Sequence, residues 1–219
     1  MELYREVQTG LWCRKDTLDE YVVKEQSSYK QLFNLMHNKT VLDIGANIGA
    51  FAYNAIESGA KWVISFEPDP DNIKMYKKQG LSSTLIEKAV SNRNGGSKLY
   101  TNAHKNKGLH SLQPISGRES IPIELISFTD ILEKYRPSIL KIDIEGGEYD
   151  LDLYDIPSFV KAIAIEIHLS YGDNRKQAVP LIKALKEQFP TILHDTHITD
   201  KNWTTLFIGR RAKKGAHHE

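Results

Sequence analysis

Cysteine is almost missing from this chain, with one residue, Cys13, among 219. A lone thiol excludes an internal disulfide and a cysteine-based zinc cluster, and it fits a reducing compartment. Long apolar runs are missing too. None approaches the roughly 20 residues that a membrane-spanning helix needs, and the opening MELYREVQTG lacks the charged-then-apolar order of a secretion signal. The expectation is a soluble, cytoplasmic protein with no membrane partner. Net charge is nearly absent, since 29 Lys and Arg against 28 Asp and Glu leave +1. No broad field therefore draws the chain to an extended nucleic acid. Internal repeats and low-complexity tracts are also lacking. The length suits one domain, because a chain of this size buries roughly 70% of its unfolded surface. Residues 1–40 read as an N-terminal extension, 38–210 as the main domain and 211–219 as a flexible basic tail, in which His217 and His218 are solvated rather than metal ligands.

What is present is an alternation of strand-length apolar runs with helical patterns, the mark of repeated βαβ units and a mostly parallel sheet with helices on both faces. The runs are VLDI (41–44), KWVISFE (61–67), STLIEKAV (83–90), ILKIDIE (139–145), KAIAIEIH (161–168) and WTTLFIGR (203–210). Between the first two, NIGAFAYNAIESG reads as a helix ended by Gly59. Asp69 is placed to cap a helix that starts at Pro70 and stops at Gly80. Further on, Thr129 is expected to cap FTDILEKYR, and 148–160 to form a crossover helix interrupted at Pro157. A last helix is expected to start near Pro180, after a loop at 170–178, with Val179, Ile182, Leu185 and Phe189 on one face. In the extension, EYVVKE reads as a short strand and Tyr29 to Met36 as an amphipathic helix, neither carrying chemistry. Residues 91–120 form a long polar, locally basic loop with strands at Lys98 to Thr101 and Ile121 to Ile126.

In such a sheet, ligands bind outside the carboxyl ends of the strands, where the strand order reverses. The residues closing the strands are Asp43, Glu67, Asp143 with Glu145, and Glu166 with His168, so five carboxylates are expected around one crevice. Alternation puts Lys141, Asp143 and Glu145 on one face of their strand, and Ala162, Ala164, Glu166 and His168 on one face of the next. The first strand-to-helix turn, GANIGA, is nearly a dinucleotide-binding turn, but Asn47 stands where the middle glycine belongs and Asp43 would repel a diphosphate. S-adenosyl-L-methionine (AdoMet) suits it better, because its sulfonium and amino groups are cationic. Glu67 ends the second strand where a carboxylate can accept ribose hydroxyl protons, Pro68 fixes the backbone beside it, and an amide near Ala89 or Val90 can read the adenine edge. Plainer readings stand beside these. Asp43 and Gly45 also suit an ordinary turn, Asp143 and Glu145 a helix cap, Glu166 a pairing with Lys141, and His168 a satisfied strand-end histidine.

The strings VLDIGANIGAFA, SFEPDP, EKAVSN, the pair Ser111-Leu112, FTDIL, LKIDIEGGEYDL and AIEIH resemble those of FkbM-type methyltransferases, over residues 38 to 168. The resemblance implies a Rossmann-like, class I methyltransferase fold. It also implies a methionine-side loop of Asp43, Gly45, Ala46, Asn47 and Gly49, a ribose contact at Glu67, and Asp143 facing the transfer centre. The family mostly methylates hydroxyl groups, often on sugars or glycosylated metabolites. In-line transfer gains roughly 7–11 kcal/mol from positioning, and a base adds about 10²- to 10⁴-fold. Asp143 is the first candidate base, followed by Glu166 and His168, the last because its unperturbed pKa lies near 6.5. Lys141 is expected to tune this group or orient the acceptor. A divalent ion held by Asp143, Glu145, Glu166 or His168 is a second-ranked variant. The basic segment from Arg93 to Arg118, with Lys98, His104, Lys105, Lys107 and His110, is expected over the acceptor, recognising phosphate or an acidic sugar. The rivals are an NAD-dependent oxidoreductase, an RNA 2'-O-methyltransferase, against which the neutral charge weighs, and a non-catalytic binding module.

Overall fold

The computed structural model describes residues 2–101, 110, 112, 117–169, 174–195 and 203–210. The chain opens with an antiparallel hairpin of β1 (Leu3–Arg5) and β2 (Trp12–Arg14), followed by α1 (Asp19–Glu25), a 3₁₀ turn (Gln26–Tyr29) and α2 (Lys30–Phe33). Then come β3 (Thr40–Ile44), α3 (Ala50–Glu57), β4 (Trp62–Phe66), α4 (Pro70–Gln79), β5 (Thr84–Ile86), β6 (Ala89–Ser91), β7 (Gly95–Tyr100) and β8 (Ser120–Ser127). The last part holds α5 (Phe128–Tyr135), β9 (Ile139–Ile142), a 3₁₀ turn (Gly147–Asp150), β10 (Ala162–His168), α6 (Asn174–Gln188), β11 (Thr191–Asp195) and β12 (Trp203–Gly209).

Seven strands form the central sheet in the order β11-β12-β10-β9-β3-β4-β5, and β12 runs antiparallel to both of its neighbours while the other pairings are parallel. From β3 the chain builds outward through β4 and β5, then returns to lay β9 and β10 on the other side. The strand order therefore reverses between β3 and β9, and the crevice opens there. A separate small sheet has the order β6-β8-β7.

Alternation along the strands divides the core as the sequence predicts. Leu42, Ile44, Leu140, Ile142, Ile163, Ile165 and Ile167 face one layer with Ile131, Leu181 and Leu185. Val41, Ile139, Ala162 and Ala164 face the other, where Tyr29, Leu32, Phe51 and Phe207 cover them. The small alanines leave room for an aromatic layer, in which the Tyr29 and Phe207 rings stack at 4.9 Å. α4 follows its sequence signals to the residue: Asp69 accepts from the Asp71 amide at 2.9 Å, Pro70 begins the helix and Gly80 closes it at φ 66°.

Several expectations are corrected. EYVVKE lies in a helix, α1, with Val23 buried against Ile48, Ala50 and Met75. Acids in its first turn and Lys24 in its last, which suit the helix dipole, outweigh the paired valines. STLIEKAV splits after Ile86 into strands of different sheets. β9 ends at Ile142, because Glu145 (φ 52°) and Gly146 (φ 93°) turn the chain away. α5 is capped by Ser127 rather than Thr129, its hydroxyl accepting from the Asp130 amide. Residues 148–160 form one 3₁₀ turn and then irregular chain, although Leu151, Leu153, Ile156 and Val160 still fill the core. α6 begins at Asn174 and carries Pro180 within it, where the surrounding positions 176, 177 and 179 are exposed. Its buried face is Ala178, Leu181 and Leu185, and Val179 is exposed. Among the described residues, no helix is long and apolar enough to cross a membrane. His104, Lys105, Lys107, Ser111, His217, His218 and the tail 211–219 lie outside the described residues.

Candidate active site

The turn after β3 is shaped by three left-handed residues, Gly45 (φ 81°), Asn47 (φ 51°) and Gly49 (φ 91°), and Gly49 precedes the first residue of α3. The amides of Gly45 and Ala46 both donate to the Phe66 carbonyl at 3.0 Å, which ties the turn to the end of β4. Glu67 follows at that end. Its carboxylate accepts from the amides of Asn47 (2.7 Å) and Asp69 (2.9 Å). Burial pushes this carboxyl up to about 7, against the pull of those two amides. A carboxylate offers about four lone-pair sites, so two remain for ribose hydroxyls. Asn47 Oδ1 is buried and has no hydrogen-bond partner among the described residues. An acceptor left bare in this way fits the hydroxyls or ammonium group of AdoMet. Pro68 is half-buried beside Glu67, and Ala89 and Val90 are buried at the start of β6. His110 Nε2 lies 2.7 Å from Asp69 Oδ2, next to Glu67.

Asp43 is not open to a ligand. It is wholly buried, accepts from Ser65 Oγ at 3.2 Å and has Lys141 Nζ 3.5 Å from its Oδ1. Asp43 and Lys141 are register partners on the neighbouring strands β3 and β9. The cation that balances this acid is therefore supplied by the chain itself. Lys141 Nζ also donates to the Gly45 carbonyl at 2.6 Å and lies 3.6 Å from Asp143 Oδ2. Burial disfavours its charge, but Asp143, Asp43 and Glu166 outweigh burial and hold the ammonium above its ordinary range. Lys141 thus links the glycine turn to the acids of the crevice.

Beyond Lys141 the strand ends converge. His168 at the end of β10 stands between two carboxylates, with Nε2 3.3 Å from Glu145 Oε2 and Nδ1 3.3 Å from Glu148 Oε1. Glu148 is fully buried and also accepts from the amides of Gly146 (2.9 Å) and His168 (2.5 Å). Burial alone would lower His168, but Glu148 and Glu145 raise it to about 10, so an imidazolium fills the gap. Burial raises Glu145 in turn. Glu166 is pushed well above the ordinary carboxylate range by burial, then by Asp143 and Glu25. Glu25, from the extension, is itself raised, by burial and then by Asp143. Asp143 is the more open acid, its side chain 27% exposed against 19% for Glu145. Asp143, Glu145 and His168 offer three ligand atoms within 4.8 Å of one another, a trio that does not include Glu166. An ion there would compete with the proton on His168 and with the Lys141 ammonium.

The structure therefore brings together Asp143, Glu145, Glu166, His168 and Lys141, sets Asp43 behind them, and places Glu67 on the far side of the glycine turn. Sequence reasoning misses Glu25 and the His168-holding role of Glu148. Glu148 sits in GGEYD beside the singled-out acids, which is a signal in its own right. Glu25 carries no local signal at all.

Comparison with known proteins bears on the family and the fold. The Methyltransferase FkbM domain matches residues 43–193. No curated protein sequence matches the chain. Among solved structures, the methyltransferase FkbM from Methylobacillus flagellatus KT is 14% identical with a TM-score of 0.51, over 90% of this chain and 55% of that one. Ribosomal protein L11 methylase from Lactobacillus delbrueckii subsp. bulgaricus is also 14% identical, with a TM-score of 0.50 over 88% and 80% of the two chains. Precorrin-6y C5,15-methyltransferase from Geobacter metallireducens GS-15 is 11% identical, with a TM-score of 0.50 over 91% and 93%. At such identities these likenesses speak for the fold, a mostly parallel class I methyltransferase sheet. With its matched span running from the acid behind the glycine turn to beyond α6, the chain belongs to the FkbM family of AdoMet-dependent methyltransferases.

Proposed function

We propose that this methyltransferase acts on a hydroxyl oxygen of a sugar or glycosylated small molecule, with Asp143 as the general base. Bound AdoMet supplies an electrophilic methyl group on sulfur. The reading rests on one observation: Asp143 is more open than Glu145, while burial raises the Glu166 carboxyl and Glu148 and Glu145 raise His168 to about 10. That argues against His168 as the base, whose appeal is an ordinary pKa near 6.5. Asp143 takes the hydroxyl proton as the oxygen attacks, and Lys141 keeps its carboxylate in place. Gly45, Ala46, Asn47 and Gly49 hold the methionine half, Glu67 the ribose, and Pro68, Ala89 and Val90 flank the adenine. Asp43 acts indirectly, by fixing Lys141.

The test is incubation with labelled AdoMet and a glycan and metabolite extract, followed by identification of the methylated atom. Label on a carbohydrate oxygen supports the proposal, and label confined to nitrogen, RNA or protein overturns it. The same assay with a chelator is expected to run at an unchanged rate. A tenfold loss restored by Mg²⁺ or Mn²⁺ would instead put an ion in the trio of Asp143, Glu145 and His168.

Cofactor affinity should depend on pH through Glu67. Ribose hydroxyls need the ionised carboxylate, and the free protein holds that carboxyl at about 7. AdoMet should therefore bind more weakly below pH 7 and more tightly as pH rises through it, levelling off above. Calorimetry across pH 5.5 to 8.5, a span of about 1.5 units either side of that value, checks this. The slope should vanish in Glu67→Gln, and a slope that persists there would remove Glu67 from the ribose.

A further inference from the structure

The Glu67 carboxylate is held from two directions. Its Oε2 accepts from the amide of Asn47 in the glycine turn at 2.7 Å, and its Oε1 from the amide of Asp69 at 2.9 Å. The second hold is only as firm as Asp69 itself. Asp69 Oδ1 caps α4 by accepting from the Asp71 amide at 2.9 Å, while Oδ2 lies 2.7 Å from Nε2 of His110. Both side chains of that pair are well covered, 9% exposed for His110 and 7% for Asp69. His110 belongs to the segment between β7 and β8, whose two ends are tied where the Thr101 amide donates to the Glu119 carbonyl at 2.9 Å. Burying an imidazole against a carboxylate strips water from both groups. The cap of α4 does not require it, because Oδ1 completes that cap without His110.

Resting on the assignment of Glu67 to the ribose, we infer that His110 is a cofactor-positioning residue: through Asp69 it presets Glu67 to receive the ribose hydroxyls of AdoMet. To accept from two hydroxyls at once, a carboxylate must aim its remaining lone pairs at both, and hydrogen bonds weaken steeply as they bend. One amide on each oxygen settles the plane of the carboxyl. Pro68 stiffens the backbone between Glu67 and Asp69, so a hold on the Asp69 side chain is passed to its amide. The ring acts on charge as well, since burial pushes the Glu67 carboxyl up and His110 is among the groups that pull it back. The ribose contact is thus formed before the cofactor arrives, which lowers the ordering cost of binding.

The probes are S-adenosylhomocysteine and its 2',3'-dideoxy analogue, titrated into the full chain by calorimetry. Wild type should prefer the first by about a hundredfold, from two hydrogen bonds to a charged acceptor at about tenfold each. His110→Ala is expected to weaken S-adenosylhomocysteine about tenfold and the analogue hardly at all, so that the preference shrinks. His110→Gln, whose amide nitrogen can stand where Nε2 stands, should restore most of the loss. Asp69→Asn, which keeps the cap of α4, should cost as much as His110→Ala, and the two together no more than either alone. Should His110→Ala fail to fold, His110→Gln and Asp69→Asn carry the same comparison of the two ligands. Unchanged affinity in His110→Ala, equal losses for both ligands, or losses from the two sites that simply add would overturn the inference on His110 and leave Glu67 at the ribose. If wild type binds the analogue as tightly as its parent, the ribose assignment falls and this inference with it.

Discussion

Gly45→Ala should lower the stability of the protein by roughly 3–5 kcal/mol and abolish measurable AdoMet binding. A Cβ at this position would lie 1.8 Å from the carbonyl oxygen of Asp143 and 2.9 Å from its carbon, both backbone atoms. No rotamer change relieves that contact. The turn after β3 and the end of β9 would have to separate, and they are joined by the Asp143 amide bonding to Ile44 and by Lys141 bonding to the Gly45 carbonyl. The positive φ adds strain of about 1–2 kcal/mol for any L side chain. In a chain of this length each kcal/mol shifts the melting midpoint by about 2–4 °C, so a fall of about 6–20 °C is expected by scanning calorimetry. Gly80→Ala is the control, because Gly80 shares the positive φ but has nothing within 4 Å of the place where an added methyl group would stand. It should cost only about 1–2 kcal/mol. Equal losses in the two proteins would show that the close approach at Gly45 does not matter.

Asp143→Asn should reduce turnover by about 10²- to 10⁴-fold with AdoMet affinity nearly intact. The amide keeps the shape of the side chain and still offers Lys141 an oxygen, but it cannot take up the acceptor's proton. Turnover of the variant should rise steeply with pH, as hydroxide in solution begins to ionise the acceptor. Single-turnover rates in parental and variant protein, read beside cofactor binding, separate this from a folding defect. A variant that transfers methyl groups at the parental rate rules Asp143 out as the base.

The legible parts of this protein are the ones set by short-range rules. The α4 helix is readable because a capping Asp69, Pro70 at the first position and Gly80 at the stop each act within one turn. The two faces of β10 are readable because side chains alternate along any strand, so that isoleucines and alanines sort into opposite layers. α1 is misread because two adjacent valines draw attention away from the charge pattern at its ends. The crossover at 148–160 is misread because its apolar residues fill the core without forming a helix.

The site divides along the same line. Sequence reading is enough to say which acids close the strands, that the glycine turn disfavours a diphosphate, and which family those motifs resemble. What each charge faces emerges only from the packed chain. Asp43 reads in the sequence as the partner of a cationic ligand, yet strand register sets Lys141 beside it. His168 reads as a candidate base, yet Glu145 and Glu148 hold it as a cation. Glu25, in a segment that reads as inert, has its carboxyl raised by burial and by Asp143. Caps and alternation depend on neighbours a few bonds away, whereas the partner of a charge depends on which distant strand or helix comes to lie within a few ångströms of it, and no local pattern encodes that meeting.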